Sequence, residues 1–152
     1  MHTLVIYDTT SGNTRAVAEA IAEGARTRGT AELLAATNAG HSLPATDLLI
    51  LGAPTERHTV TPAMIGLLER LGADALRGRA VATFDTRLRW PRFLSGSAAD
   101  EIGRRVELAG ARLVARPESF IVSMKPALEP GELERAEAWA ADVSDAVAAV
   151  PA

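Results

Sequence analysis

There is no cysteine among the 152 residues, which removes disulfides, thiolate metal ligands and thiol nucleophiles at once. Aromatic residues are nearly as scarce, at 4%, so the core must be aliphatic and the place of each ring matters. No apolar run approaches the ~18–20 residues that span a bilayer, which argues against membrane insertion. The first strand begins by about residue 3, which leaves no room for a signal peptide. A cytoplasmic protein is the expectation. An excess of one charge sign is missing too: the net charge is −3, which argues against nucleic acid or an anionic membrane as a partner. His2, His41 and His58 are scattered, and the acidic residues lie mainly on helix faces, so no metal set, nucleophile or general acid emerges. What remains is 47% hydrophobic and 23% charged, the balance of an ordinary globule. The length suits a single domain over residues 1–152 with one sizeable core. Neither a repeat nor a linker interrupts it.

The most informative stretch is Leu4-Val5-Ile6-Tyr7 followed by Asp8-Thr9-Thr10-Ser11-Gly12-Asn13-Thr14 and an Ala-rich segment from Arg15. The apolar run is too short for a helix and too hydrophobic for an exposed strand, which predicts a buried strand of a parallel sheet. The turn after it is rich in hydroxyl and amide side chains, and Gly12 permits close backbone approach. The helix that opens there leaves its first N–H groups without partners and places partial positive charge at its start. Together these make a receptor for a phosphate dianion. The plainer reading is that Thr10, Ser11 or Asn13 simply caps the helix, although a cap needs only one of them. No Lys or Arg lies in the loop, and the glycine patterns of nucleoside-triphosphate and dinucleotide loops are absent, which disfavours ATP, GTP and NAD here. Any phosphate must be held by neutral donors.

Further along, Val17, Ala18, Ile21 and Ala25 fall on one helical face, with Gly29 as a stop. Residues 31–35 form a weak second strand, and 36–45 a connection in which His41 is solvent-exposed. Asp47–Gly52 is a third buried strand that ends in the polar loop 53–61, before a helix opened by Pro62 with Met64, Leu67, Leu68 and Leu71 inward. Arg79–Phe84 is a fourth strand, followed by loop 85–95. Ser95, Gly96 and Ser97 introduce the next helix, with Ala98, Ile102, Val106 and Ala109 inward. Residues 111–115 and 119–122 flank Arg116-Pro117-Glu118 as one interrupted fifth strand. The last helix begins near Pro130 and carries Leu133, Ala136, Ala140, Val143 and Val147 on its buried face, bordered by Trp139. Buried strands alternating with helices predict an α/β fold with a doubly wound, five-stranded parallel sheet of order 2-1-3-4-5. Its ligand crevice lies at the carboxyl ends of strands 1 and 3, where loops 9–14, 53–61 and 85–95 meet. A phosphoacceptor receiver domain shares that topology, but Gly52-Ala53-Pro54 stands where it needs a carboxylate.

Thr9-Thr10-Ser11-Gly12-Asn13-Thr14 resembles the Ser/Thr-x-Thr-Gly-x-Thr phosphate loop of flavodoxins, with Ser for Thr at position 11. Asp47–Thr55 is similar to that family's third strand and its Gly-x-Pro-Thr turn, and Phe84-Asp85-Thr86-Arg87 stands where the second flavin-contacting loop begins. The resemblance covers essentially the whole chain and is to the short-chain type. It implies FMN as cofactor, held by Thr9, Thr10, Ser11, Gly12, Asn13 and Thr14 at the phosphate. Pro54, Thr55, Glu56, Arg57 and His58 would serve the ring from one loop; Asp85, Thr86, Arg87 and Trp90 would serve it from the other. Trp90 is either a stacking partner or a ring packed under its own loop. His58 either covers the other ring face or is solvated.

Two departures stand out. Flavodoxins are strongly acidic near the flavin, whereas here Arg57, Arg87 and Arg89 approach it; alternatively Arg87, Arg89 and Arg92 form a solvated edge or pair with Glu56 or Asp85. Cations there favour an anionic reduced flavin and a higher potential. The loop also has no Gly between Thr55 and Val60, which disfavours a neutral semiquinone. The resemblance therefore implies an electron-transfer protein serving redox partner proteins or a small quinone-like acceptor. The alternatives are an FMN-dependent NAD(P)H:quinone reductase, or a binding module of this fold that has lost flavin.

Overall fold

The computed structural model describes residues 1–125 and 127–151. A central parallel sheet is built from β1 (His2–Tyr7), β2 (Thr30–Ala35), β3 (Leu48–Pro54), β4 (Ala80–Leu88), β5 (Arg112–Leu113) and β6 (Glu118–Val122). Its order is β2-β1-β3-β4-β5, and β6 also pairs with β4. β5 and β6 lie in line along one edge of β4, level with Ala80–Val81 and with Phe84–Leu88 respectively. They are the two halves of the interrupted fifth strand, and the order 2-1-3-4-5 holds.

The helices are α1 (Asn13–Arg26), α2 (Pro62–Leu76), α3 (Arg92–Ser95), α4 (Ala98–Leu108) and α5 (Glu132–Ala148). They cover both faces because every central strand is apolar on both. Leu49, Leu51 and Val81 meet Met64, Leu67 and Leu71 of α2 and Ile102 and Val106 of α4 on one face. On the other, Val5, Ile50 and Phe84 meet Val17 and Ile21 of α1 and Ala136, Ala140 and Val143 of α5. The few aromatics are concentrated: Phe84, Phe120 and Trp139 pack edge to face at 6.0–6.5 Å between centroids. That geometry suits the ring quadrupoles. None of the helices is long and apolar enough to cross a membrane, among the described residues.

The structure corrects several boundaries. β3 runs on through Ala53 and Pro54, so the loop begins only at Thr55. Gly52 turns its carbonyl toward β1, where Asp8 N–H donates to it at 3.0 Å, and Thr55 turns its N–H to Thr86 O of β4 at 2.9 Å. Pro54, between them, therefore faces the side that β1 has already left, and its missing N–H costs nothing there. β4 extends to Leu88 because β6 accompanies it, so Asp85, Thr86 and Arg87 are strand residues rather than loop. A short helix, α3, occupies the loop after it. The last helix starts at Glu132, and Leu133 is 40% exposed instead of buried. α1 and α5 approach tightly at Gly24, where a Cβ would lie 2.1 Å from Glu137 O, and Leu133, one turn before Glu137, lines a groove beside them.

Candidate functional site

β1, β3, β4 and β6 end at one rim, and the segments leaving them enclose a cleft of about 290 Å3. One wall is the turn into α1. Gly12 is the cap residue of α1, in the left-handed region at φ 91°, and no side chain caps the helix. The hydroxyls are engaged elsewhere or free: Thr9 Oγ1 accepts from Gly12 N–H at 3.0 Å, and Ser11 Oγ accepts from Asn13 Nδ2 at 3.3 Å. A plain capping role for Thr10, Ser11 or Asn13 is therefore not what the turn does. Thr10, Ser11 and Asn13 line the cleft, and the first N–H groups of α1 keep their donors. Thr14 is buried, its hydroxyl 2.7 Å from that of Thr86, and this contact fixes the start of α1 to the end of β4.

The opposite wall carries Pro54, Thr55, Glu56, Thr86 and Arg87. Behind it lies a second cavity of about 180 Å3, which shares Thr55, Arg87 and Leu88 with the first and adds Arg57, His58, Trp90 and Ser95. Glu56 and Thr59 exchange both backbone hydrogen bonds at 2.9 Å. Arg57 and His58 between them have φ 47° and 71°. This is a two-residue hairpin turn with left-handed backbone at both central positions, where Asn-Gly is the usual choice. Its tip is braced on Gly96 (φ 70°), where a Cβ would lie 2.2 Å from His58 O. Trp90 is 47% exposed and stands at the cavity instead of packing under its own loop.

Asp85 is placed under the cleft, not in it. It is fully buried, and Oδ2 accepts from Ser97 Oγ (2.6 Å), Ala99 N–H (3.0 Å) and Thr55 Oγ1 (3.2 Å). The carboxylate sits on the positive end of α4 and ties the hairpin loop to that helix; Oδ1 has no partner. A direct ligand role for Asp85 is thereby replaced by a positioning one. The arginines also sort differently from expectation. Arg89 pairs with Glu129, and Arg92 with Asp100 at 2.6 Å, rather than with Glu56 or Asp85. Arg89 and Glu129 line an adjoining cavity that shares Leu88, Val122, Ser123 and Met124 with the cleft.

Leu88, Val122, Ser123 and Met124 complete the wall; Leu88 belongs to the segment 85–95 expected there, and the other three were not expected. β6 ends level with Leu88 at Val122, so the residues after the fifth strand come to the same rim. Reading the carboxyl-end rule for strand 5 as well as strands 1, 3 and 4 would have found them. The loop after β6 is held by Glu132, whose Oε2 accepts from Ile121 N–H at 2.7 Å. The Arg135 guanidinium, bonded to Glu132, holds that carboxyl below the usual carboxylate range.

A flavodoxin-domain family model matches residues 4–92, more than half of the chain. The chain belongs to that family. Solved structures sharing its fold include flavodoxin 1 of Bacillus cereus, at 21% identity over 95% of this chain and 98% of that one, with a TM-score of 0.79. A flavodoxin from the Archaea matches at 20% identity over 97% and 99%, TM-score 0.78. The flavodiiron protein of Giardia intestinalis matches at 19% identity and TM-score 0.77, over 97% of this chain but 36% of its own. No curated protein matches by sequence. In this flavodoxin domain the matched segment ends at Arg92, so it takes in the turn into α1, the hairpin and β4, but not the loop after β6.

Proposed function

We propose that this flavodoxin domain binds FMN and carries electrons on it. The observation that carries the reading is the turn into α1: an uncapped helix start, Gly12 with open space around it, and the Thr10 and Ser11 side chains at a cleft. A phosphate dianion fits there, because N–H and O–H donors and the helix dipole replace its water without any Lys or Arg. From that end the cleft leads past Thr55 and Thr86 to the cavity between the hairpin tip and Trp90, which suits a flat ring. Bound FMN would supply an isoalloxazine that accepts and returns electrons. The protein's part is to hold the phosphate at Thr10, Ser11, Asn13 and the first N–H groups of α1. Trp90 and His58 flank the ring, and backbone groups of residues 55–58 and 87–90 meet its polar edge.

Trp90 is half-exposed at the ring-side cavity, and Phe93 of α3 is 86% exposed, so the ring's outer edge faces solvent. Electrons can leave there to a docked redox protein or to a small quinone-like acceptor. Oxidation of NAD(P)H in the presence of an added quinone distinguishes a reductase from a carrier. The primary test is gentle purification followed by a visible spectrum, with titration of stripped protein against FMN and riboflavin. Yellow protein, or quenching of added FMN fluorescence with much weaker riboflavin binding, is expected. Colourless protein that quenches neither ends the redox reading and leaves the fold.

A further inference from the structure

Arg87 makes no ion pair among the described residues. Its guanidinium is fixed at the wall common to the two cavities by four neutral acceptors: Ser119 Oγ (2.9 Å), Ser95 Oγ (3.3 Å), Leu88 O (3.2 Å) and Trp90 O (2.6 Å). Two neighbouring arginines are paired, Arg89 with Glu129 and Arg92 with Asp100, while Arg57, on the hairpin, lines the second cavity with Arg87. Arg92 also donates to the same Ser119 hydroxyl at 3.3 Å, so the near neighbour of Arg87 is a second cation. Asp85, two residues earlier on the same face of β4, gives its bonded oxygen to Ser97, Ala99 and Thr55 instead. Glu118, across on β6, pairs with Arg135. From the hairpin, Glu56, Arg57 and His58 face the cavities, and none of them pairs with Arg87 among the described residues. A guanidinium keeps its charge at any pH the fold survives. Neutral acceptors fix its position without cancelling that charge.

We propose that Arg87 sets which charge state of the flavin the protein prefers. This rests on the FMN reading above. The oxidised ring is neutral; after uptake of two electrons and one proton it carries one negative charge, the second proton remaining in solvent. A fixed cation at the ring wall binds that anion more tightly than the neutral ring, and the ratio of the two affinities appears as a raised midpoint potential. A unit charge acting across the slot wall at an effective dielectric of about 20 favours the anion by about ten- to a hundredfold. Position and charge are separable, because Lys keeps the charge and loses the planar fork.

The test is a dye-equilibrated dithionite titration of FMN-loaded protein as wild type, Arg87→Gln and Arg87→Lys, dithionite supplying the electrons and water the proton. Affinity for oxidised FMN is measured alongside by fluorescence. Arg87→Gln is expected to lose about ten- to a hundredfold of the preference for reduced over oxidised flavin, with a much smaller change in oxidised FMN affinity. Arg87→Lys is expected to keep most of the preference. An unchanged midpoint in Arg87→Gln overturns the proposal, as do equal losses in Gln and Lys, which would assign the effect to the loop strap. Should either variant fail to fold, the wild-type midpoint is followed against pH below neutrality. Uptake of one proton per two electrons supports the fixed cation, and uptake of two overturns it. Wild type that binds no FMN overturns the reading beneath, and the proposal with it; FMN-loaded wild type isolates the question of Arg87.

Discussion

At the α1 end of the cleft, residues 9–14, where we propose the phosphate binds, the chain is uncharged and relaxed, and its one left-handed residue is Gly12. At the hairpin end, residues 55–59, where we propose the ring lies, it carries one charge of each sign, Glu56 and Arg57, and two residues with full side chains, Arg57 and His58, sit in left-handed backbone. The first end is made by a strand, a turn and a helix that follow one another in the chain, so its donors arise from helix geometry alone. The second is made by tertiary contacts: the hairpin leans on Gly96, and Thr55 is tied through Asp85 to the start of α4. Strain held by surrounding structure is a mark of functional positions, whereas the α1 end is unstrained and has one long-range tie, the Thr14–Thr86 hydroxyl contact. One end is therefore expected to tolerate change locally, and the other to fail when a distant brace is removed.

The sharpest way to break this contrast is a pair of glycine substitutions. Gly96→Ala adds a Cβ at 2.2 Å from His58 O, at φ 70°, and must push the hairpin away. A loss of about 3 kcal/mol in urea unfolding is expected, summing overpacking and left-handed cost. Gly12→Ala has φ 91° and nothing within 4 Å of the new Cβ, so only the backbone term applies, about 1 kcal/mol. Equal losses in the two variants would erase the distinction between a braced end and a free one.

The same distinction explains what could be read before the structure. The α1 turn was legible because its signal is local: an apolar run, hydroxyls, Gly12 and a helical stripe. The strand order followed from alternation and the crossover rule. Asp85 looked like a loop carboxylate because the sequence cannot show that β6 would carry β4 four residues past Phe84 and bury it. The pairing of Arg89 with Glu129 spans forty residues, and Met124 reaches the cleft only because β5 and β6 share one edge of β4. These misses are long-range partners, while local periodicity carried most of the rest.

Next in size is ligand binding. Replacing both Thr10 and Ser11 by Ala removes two hydroxyl donors from the phosphate end and should weaken FMN about tenfold to thirtyfold, or roughly 1.5–2 kcal/mol. Riboflavin, which has no phosphate, should bind as before. A parallel loss for riboflavin would show that the turn shapes the whole cleft instead of reading phosphate. Glu132→Gln probes the wall that serves both ends. The Glu132 carboxylate bonds Ile121 N–H and Arg135, so its loss should cost about 1–2 kcal/mol at pH 7. Because Arg135 lowers the carboxyl's value in the fold, its contribution is complete above the ordinary range near 4.3. It is lost as pH falls through the lower folded value, so wild type and variant should converge in acid. A gap that stays constant down to acid unfolding would mean the charge is not the source.

The smallest effect has the opposite sign. Arg57→Asn with His58→Gly gives the hairpin the residue pair its left-handed turn favours. Relief at two strained positions stabilises the fold by about 1 kcal/mol each at most, and the greater freedom of Gly in the unfolded chain offsets about 0.5–1 kcal/mol of it. A net gain of about 0.5–1 kcal/mol is expected in urea unfolding, together with weaker retention of FMN, since the cavity loses Arg57 and the ring-flanking His58. A stabler protein that holds its ligand less well is the outcome that strain kept for function requires. A variant less stable than wild type would show instead that the two side chains support the turn, and that its left-handed backbone is structural.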